Sequence, residues 1–461
     1  MRYSSATTAT TWGKHTMSTH KHIDLICTIV TICALLITVL FMNGEALGIT
    51  KIVDEDAEGY EGTEYFTAND LDDGWDDSSA TVITLNGDSA TVSGNGAYAY
   101  DGGAVISNAG NYVVSGTLTD GSLTVDAYQS SKVWIKLAGV NIHCEDDAAI
   151  RINQAEKVFL TLEEGTENVI TSGAVYTEAA LSDNAGGAVF SHDDLTVNGS
   201  GALHVSASYK HGFDCNDSLH ITGGTITVSA PEDGLHVNDS VRIADCSLTV
   251  NAGDDGIRCD KEITVVSGTV LVAECHEGLE APEITVEDGT IEVYPTDDGF
   301  NANGGTDGTY EGTPFIRMNG GDVLIVNKTA TDADGLDSNG DIYINGGNLR
   351  ISLPGNGTNS AIDYPSGSGI CEITGGTVIA CGASSMAERF GEGSTQPSVL
   401  YRSDAVVADG TVLRLADENG TVLLSWHVPC GFSAANLSCP ELVQGKTCTI
   451  TIGEKKEEVK P

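Results

Sequence analysis

The segment EDGLHVNDSVRIADCSLTVNA (232–252) is followed, after one glycine, by DDGIRCDKEITVVSGTVLVAE (254–274), and the two align position by position. Each begins with an acidic residue and a glycine, and then places apolar residues at alternate positions in two short runs. Apolar side chains with a period of two indicate β-strands that bury one face. The pair therefore predicts a repeat built from short strands and turns.

The same repeat covers most of the 461-residue chain. The glycine of the acidic-Gly pair, here called the key glycine, recurs at intervals of 22, 22, 22, 21 and 36 residues: Gly212, Gly234, Gly256, Gly278, Gly299 and Gly335. The last interval is longer because residues 303–314 and 327–332 carry insertions, and weaker copies lie at 146–162, at 186–207 and from Asn359. Three short strands in each copy form one coil of a parallel β-helix, whose coils bury their inner faces against each other. We therefore predict an all-β, right-handed parallel β-helix; a leucine-rich repeat is the rival at this period, but its Leu and Asn/Cys pattern is missing.

The ends of the chain differ from the repeat. Residues 23–42 are almost entirely apolar, which fits a signal peptide and is also long enough for a membrane anchor. In either case we expect the rest of the chain to be extracellular, secreted or anchored at the cell surface. The predicted divisions are a leader (1–48), an acidic linker or cap (49–80), the β-helix (81–404), a small β cap with a hairpin in 412–428 (405–453) and a disordered tail (454–461).

The charge of the chain is strongly negative, with 66 Asp and Glu against 22 Lys and Arg and a formal net charge of −44. Nucleic acid is excluded as a partner, because phosphate binding needs a clustered basic surface. The plainest interpretation of the acidity is solubility. Carboxylates this dense in a folded repeat also repel each other unless cations lie among them, and Ca²⁺ prefers oxygen ligands.

Cysteine is the other residue type with metal or redox chemistry. Ten of the 12 cysteines follow the leader, and their spacing matches neither a compact disulfide framework nor a zinc site. We interpret most of them as buried thiols; Cys371, for example, falls where neighbouring copies place Leu or Ile.

Two columns of polar residues flank the key glycines. The first column is the residue before each key glycine: His211, Asp233, Asp255, Glu277, Asp298 and Asp334. The second column is the residue two positions after it: Asp214, His236, Arg258, Glu280, Asn301, Asp337 and, in the last copy, Asp363. Strict alternation would bury the first column, so we expect a positive-φ corner at the key glycine.

Equivalent residues of neighbouring coils stack about 4.8 Å apart, and Ca²⁺–oxygen bonds are about 2.3–2.6 Å long, so one ion can reach two stacked carboxylates. The alternative is that Asp-Gly only forms a turn. The predicted Ca²⁺ ligands are Asp233, Asp254, Asp255, Glu277, Glu280, Asp297, Asp298, Asp334 and Asp337.

The motifs DDGIRCD (254–260), DDGFNANGG (297–305) and ADGLDSNGDIYINGG (333–347) resemble the bacterial secreted carbohydrate-binding β-helix family of polysaccharide-lyase-like proteins. LVQGKTCTITIG (442–453) is similar to that family's C-terminal signature, with Cys448 where Tyr is usual. The resemblance implies a pectate-lyase-like solenoid with several Ca²⁺ sites that binds pectin-type or cellulosic polysaccharide. His211 and Arg258 replace acids of the family pattern.

Three functions remain open at this point. The first is binding of an extracellular polysaccharide by a monomer. Polygalacturonate would bind through Ca²⁺, and cellulose would bind through exposed aromatic residues. The supply of tryptophan for cellulose is poor, because the mature chain has only Trp75, Trp134 and Trp426. The second is a Ca²⁺-dependent lyase, in which Lys210 or Arg258 removes the proton next to a uronate carboxylate. The third is a passive surface or adhesion module that needs no ligand groove.

Overall fold

The structure is a computed structural model that describes residues 63–304 and 310–461. These residues fall within one compact unit, Glu61–Pro461. The predicted leader and residues 49–62 of the predicted linker lie outside the described residues. Within the described ranges, no helix has the length and apolar character needed to cross a membrane.

The described chain is nearly all strand, as the repeat predicts. The N-terminal strands are β1 (Thr81–Gly87), β2 (Ala90–Ser93), β3 (Ala97–Tyr100), β4 (Gly103–Ile106), β5 (Gly110–Leu118), β6 (Ser122–Asp126), β7 (Lys132–Cys144), β8 (Ile150–Gln154), β9 (Lys157–Leu162), β10 (Glu167–Ser172), β11 (Gly187–Ser191), β12 (Asp194–Gly199) and β13 (Ala202–Ser206). The central strands are β14 (His211–Cys215), β15 (Leu219–Ile221), β16 (Thr225–Ala230), β17 (Leu235–Val237), β18 (Ser240–Ile243), β19 (Ser247–Ala252), β20 (Ile257–Cys259), β21 (Glu262–Val265), β22 (Thr269–Cys275), β23 (Leu279–Glu280), β24 (Glu283–Val286), β25 (Thr290–Pro295) and β26 (Phe300–Ala302). The remaining strands are β27 (Phe315–Met318), β28 (Asp322–Val326), β29 (Asp334–Ser338), β30 (Asp341–Ile344), β31 (Asn348–Ser352), β32 (Ser360–Asp363), β33 (Cys371–Ile373), β34 (Thr377–Gly382), β35 (Ser398–Arg402), β36 (Val412–Ala416), β37 (Val422–His427), β38 (Ala434–Ser438), β39 (Cys448–Ile452) and β40 (Lys455–Val459). Two short helices, α1 (Ala68–Leu71) and α2 (Glu178–Ser182), lie among them.

The strands wind into a right-handed parallel β-helix of about 11 turns, which confirms the predicted fold class. Each full coil contributes one strand to each of three parallel ladders. One ladder runs from β9 through every third strand to β33, and a second runs from β7 through β10 to β34. The third ladder, here called the site sheet, consists of β4, β6, β8, β11, β14, β17, β20, β23, β26, β29 and β32, with β3 antiparallel at its edge.

The inward side chains of the coils stack into one continuous apolar core. Leu235, Ile257 and Leu279 have no exposed surface, and each is paired with the next across adjacent strands of the site sheet. The alternation of apolar residues in the repeat predicts one buried face for each strand, and these three side chains confirm it. The predicted register of the repeat is therefore correct.

The predicted positive φ at the key glycines is wrong. None of the six has φ in the left-handed region. The reason for glycine is space: a Cβ on Gly234 would lie 2.2 Å from Val250 Cγ1 and 2.6 Å from the carbonyl oxygen of Gly256. The first-column residue stands at the start of the strand or just before it: β17 starts after the key glycine at Leu235, whereas β14 and β29 start at His211 and Asp334 themselves.

The cysteines are buried and free, as predicted. All ten that lie among the described residues are unpaired thiols in the interior. Cys371 pairs with Ile342 in a ladder and is 2% exposed, so it replaces an aliphatic core residue.

The C-terminal region differs from the prediction in two places. The expected hairpin is present as β36 and β37, but the tail predicted to be disordered forms β40, which pairs antiparallel with β39. The ladder hydrogen bonds of β39 provide this order where the sequence has little apolar surface. Strand β38, within the predicted cap, pairs antiparallel with β34 and β35 of the solenoid. It thereby covers an edge that would otherwise expose unpaired backbone groups.

The described part of the predicted linker packs along the side of the solenoid. The Thr67 side chain caps α1 in a capping box with Asp70, whose side chain is fully buried. Asp70 Oδ1 lies 2.7 Å from Lys157 Nζ and accepts a hydrogen bond from Thr196 at 2.5 Å. The two partners lie on β9 and β12, so this buried contact attaches the segment to two neighbouring coils.

Candidate functional site

The second column forms one unbroken row on the outer side of the site sheet. Its seven members are paired in register across six consecutive strand pairs: Asp214, His236, Arg258, Glu280, Asn301, Asp337 and Asp363. At the usual strand spacing the row is about 29 Å long. The predicted stacking of these residues is therefore present in the structure.

The first column lies beside this row and also has a structural role. One carboxylate oxygen of Asp298 accepts the backbone N–H of Asp334 at 2.6 Å, and Asp334 accepts that of Ser360 at 2.6 Å. Asp233 accepts the N–H of Asp255 in the same way at 3.1 Å. Each of these acids thus uses one oxygen to bind the next coil and keeps its second oxygen for another partner.

On its N-terminal side the row ends at a wall, by which we mean the apolar cluster around Phe190. Phe190 is paired with Asp214 in the site sheet but has no exposed surface, because the insertion that contains α2 packs over it. Tyr176 and Tyr209 belong to the same apolar cluster. The accessible polar row therefore begins at Asp214 and continues towards the C-terminal coils.

A first carboxylate group combines Asp255, Glu277 and Glu280, whose ligand oxygens lie within 4.8 Å of one another. Burial, followed by a hydrogen bond with Glu280, raises the pKa of Asp255 to about 9, and burial raises that of Glu277 to about 8. Arg258 Nη1 lies 3.5 Å from Glu280 and 3.9 Å from Asp255. A built-in cation therefore already neutralises part of this group.

A second carboxylate group combines Asp334, Asp337 and Asp363, again within 4.8 Å. Burial raises the pKa of Asp334 to about 8 and that of Asp337 to about 6, with repulsion between the acids adding to both. In the coil before, burial raises the pKa of Asp298 to about 7. The charged forms of these acids are thus unfavourable unless a cation joins them.

The other predicted ligands divide into groups that contain histidine. Asp254 and Asp255 form a group with His276, and Asp297 and Glu277 form another with the same histidine. Asp233 belongs to neither, and instead contacts His211 and His236. Asp298 is in none of the three-residue groups found among the described residues, although its carboxylate binds the backbone of Asp334.

The prediction omitted four residues that the structure places in these groups. Asp363, His211 and His236 all stood in the two columns; His211 was interpreted as a replacement for an acid, and Asp363 and His236 were not included among the ligands. His276 stands two positions before a key glycine, like Asp254 and Asp297, so a count of that position would have found it. Oxygen donors at this spacing fit a hard cation, and the all-carboxylate group at Asp334, Asp337 and Asp363 fits Ca²⁺ without a competing Arg.

The two candidate bases of the lyase hypothesis are placed differently. Lys210 has φ of +46° and lines a cavity of about 350 Å³ with His211 and Asp214. Arg258 forms ion pairs with Glu280 and Asp255. Burial lowers its pKa, but Glu280 and the neighbouring acids together raise the pKa above its ordinary value, so Arg258 stays protonated. The geometry thus leaves Lys210 as the better candidate of the two.

Comparison with known proteins gives three findings. A family described as carbohydrate-binding domain-containing protein matches residues 101–274 and 256–412, which is more than half of the chain. A curated relative of that description from Acetivibrio thermocellus is 40% identical over 126 residues, which are 27% of this chain and 44% of the relative. The chain thus spans less than half of that relative's length. A solved structure described as the polysaccharide lyase-like protein from C. thermocellum, in a gadolinium derivative, has a TM-score of 0.41 and 24% identity, and covers 64% of this chain and 97% of that one. On the family match, this chain belongs to the carbohydrate-binding domain-containing protein family.

Proposed function

We propose that this protein is an extracellular, Ca²⁺-dependent carbohydrate-binding protein that holds a pectin-type, uronate-containing polysaccharide along its site sheet. The observation that carries the proposal is the stacked row from Glu280 to Asp363, in which Asn301 is the one member that is not an acid. Family membership supports carbohydrate as the ligand class.

The sign of the charge argues for a bridging cation. A protein of net charge −44 repels an anionic polymer, and the site row itself is mostly acidic. Ca²⁺ bound between Asp334, Asp337 and Asp363 would offset most of the negative charge of this group and offer its remaining coordination positions to a uronate carboxylate. The regular stacking of the coils would repeat such contacts along an extended chain.

A cellulosic ligand is the second candidate within the same function. Neutral glucan chains bind through stacked, exposed aromatic rings. Among the described residues, the aromatic side chains more than about a third exposed are Tyr98 (55%), Tyr100 (39%) and Tyr128 (74%), all in the N-terminal coils. They lie beyond the wall at Phe190 and therefore outside the accessible acidic row, which favours the uronate.

The binding test is a pull-down with insoluble polygalacturonate in Ca²⁺ and in chelator, with cellulose in parallel. We expect retention on polygalacturonate only with Ca²⁺, and loss of retention when Asp337 and Asp363 are both changed to Asn. Asp404→Asn is a matched control, because Asp404 is an exposed acid in the C-terminal region. Retention that is the same in chelator would contradict the proposal.

A lyase is the alternative that Lys210 and its neighbouring cavity keep open. Elimination would produce unsaturated uronate, which absorbs in the ultraviolet. An absorbance assay therefore distinguishes a lyase from a binding protein. We expect no product during long incubation with Ca²⁺ and polygalacturonate. Steady product formation that is lost in Lys210→Ala would replace the binding proposal with a lyase.

A further inference from the structure

One corner of the solenoid differs in chemistry from the carboxylate corners beside it. Between the coils that begin at Gly212 and Gly234, the first column contains His211 and Asp233, and the second contains Asp214 and His236. Histidine and aspartate therefore alternate in both directions at this corner. The next coils place only acids and Arg258 at the equivalent positions as far as Glu280.

Three donor atoms converge at this corner. Asp233 Oδ2 lies 2.7 Å from His236 Nδ1 and 3.2 Å from His211 Nδ1. The two imidazole rings are stacked with centroids 4.2 Å apart and planes 18° from parallel. His211 and Asp233 are buried, while His236 is half-buried. The other oxygen of Asp233 accepts the N–H of Asp255, which orients Oδ2 towards the rings, as outer hydrogen bonds orient metal-ligating carboxylates.

The hydrogen bonds at His211 conflict without a cation. Its Nδ1 accepts the backbone N–H of Asp233 at 3.3 Å, yet Oδ2 of the same residue lies 3.2 Å from that nitrogen. Nδ1 has either a lone pair or a proton. A lone pair on Nδ1 is repelled by the negative Oδ2 of Asp233, and a proton on Nδ1 is repelled by the backbone N–H of Asp233. A metal ion held by the lone pair and by Oδ2 would remove the first conflict.

We propose that His211, Asp233 and His236 bind one borderline divalent transition-metal ion, of the Zn²⁺ class, at a site separate from the Ca²⁺ sites. Imidazole nitrogen is a ligand for Zn²⁺, Cu²⁺ and Ni²⁺, whereas Ca²⁺ takes oxygen. Zinc bonds of about 2.0–2.2 Å in tetrahedral geometry separate neighbouring ligands by about 3.3 Å. The 3.2 Å distance between Asp233 Oδ2 and His211 Nδ1 fits this value. The 2.7 Å distance between Asp233 Oδ2 and His236 Nδ1 has to lengthen by about half an ångström.

Two surrounding features suit this site. The cavity of about 350 Å³ lined by His211, His236, Lys210 and Asp214 leaves room for a water molecule or a ligand group as the fourth ligand. On the other side, Arg258 follows His236 in the second column and contacts Glu280 and Asp255. Its fixed positive charge separates the histidine site from the carboxylate row, so the two sites should load independently.

The test uses the full chain with His15, His20 and His22 changed to Ala, because these three histidines of the leader could themselves bind metal. After chelator treatment, Co²⁺ is titrated in and followed by its visible absorption, and Zn²⁺ is titrated by calorimetry. We expect one equivalent of Co²⁺ with the intense bands of a four-coordinate site, displaced by Zn²⁺ and unaffected by excess Ca²⁺. His236→Ala and Asp233→Asn should each weaken Zn²⁺ binding at least about tenfold, since loss of an outer-shell partner alone has effects of that size.

Two controls separate this site from other histidines. His204→Ala removes an exposed histidine on β13 and should leave the titration unchanged. His276→Ala tests the rival groups around Asp254 and Asp297, and should also leave the strong site intact. Where His236→Ala fails to fold, His236→Arg puts the residue of the next coil in its place and should fold without binding Co²⁺. Absence of stoichiometric Co²⁺ binding, displacement by Ca²⁺, or loss of the bands in His276→Ala rather than His236→Ala would overturn the proposal.

Discussion

Raising the pH from about 5 to 8 in chelator is expected to destabilise the β-helix. Burial raises the pKa of Asp298 to about 7 and that of Asp334 to about 8 in the folded protein, from 3.8 for an ordinary Asp. The unfolded chain loses these protons near pH 4, while the folded protein keeps them to neutral pH. The folded state therefore binds more protons over this range, and its stability falls as the pH rises.

The magnitude follows from the same values. Over each pH unit in which one group is protonated only in the folded state, the free energy of unfolding falls by about 1.4 kcal/mol. The Asp298 carboxyl is protonated only in the folded state from about pH 5 to 7, so the free energy of unfolding falls by about 3 kcal/mol over this range. Asp334 lies beside it and titrates with it, so the two losses overlap and do not simply add.

The assay is urea unfolding followed by circular dichroism at three pH values in that range, in chelator and in saturating Ca²⁺. In chelator the free energy of unfolding should fall by about 3 kcal/mol or more, and Asp298→Asn should flatten the fall. Asp404→Asn, an exposed acid, should leave the slope unchanged. Ca²⁺ should stabilise the protein more at pH 8 than at pH 5, because it binds the ionised carboxylates. A chelated protein whose stability is constant or rises over this range would refute the reasoning.

Three further predictions concern the scaffold. Leu235→Ala should lower the free energy of unfolding by about 2–5 kcal/mol, because the side chain is fully buried. If urea unfolding shows that this free energy falls by less than about 1 kcal/mol, Leu235 does not contribute to the core as described. Gly256→Ala should destabilise by about 1–3 kcal/mol, because its Cβ would lie 2.4 Å from Val272 Cγ1, and Val272→Ala in the same chain should restore part of the loss in a double-mutant cycle. Additive losses would show that Val272 is not the obstacle. Asp70→Ala should lower the free energy of unfolding by about 3–5 kcal/mol, because it leaves Lys157 buried without its carboxylate. Limited proteolysis of this variant should cut the segment before β1 first. Unchanged protection of that segment would contradict its attachment through Asp70.

Much of the fold could be predicted from the sequence because the repeat is periodic in two ways. The alternation of Leu235 with its polar neighbours gives the strand and its buried face, and the constant interval between key glycines gives the register of neighbouring coils. The φ at the key glycines could not be predicted, because the reason for glycine there is a Val or Ile side chain on the third strand of the same coil, such as Val250 of β19 for Gly234. Strand β40 was missed because its charged side chains carry no pattern and its order comes from the backbone of β39.

The candidate site was predicted as a row but not as separate chemical groups. Stacking follows from the repeat, so the columns could be named residue by residue. Which neighbouring side chains converge on one point depends on side-chain direction, and contacts such as the one between Asp233 and the N–H of Asp255 decide that direction.

The solenoid explains how one corner can contain different chemistries without a change of backbone. The same hydrogen-bonded register places Asp214 beside His236, Arg258 beside Glu280 and Asp337 beside Asp363. A substitution at one coil changes the ligands there and leaves the strand spacing unaltered, because each coil contacts only its neighbours. Exchange between coils is therefore the direct test of this modularity. Arg258→Asp should extend the carboxylate row by one coil and raise the number of Ca²⁺ ions bound, whereas the number of Co²⁺ ions bound at the histidine corner should stay the same.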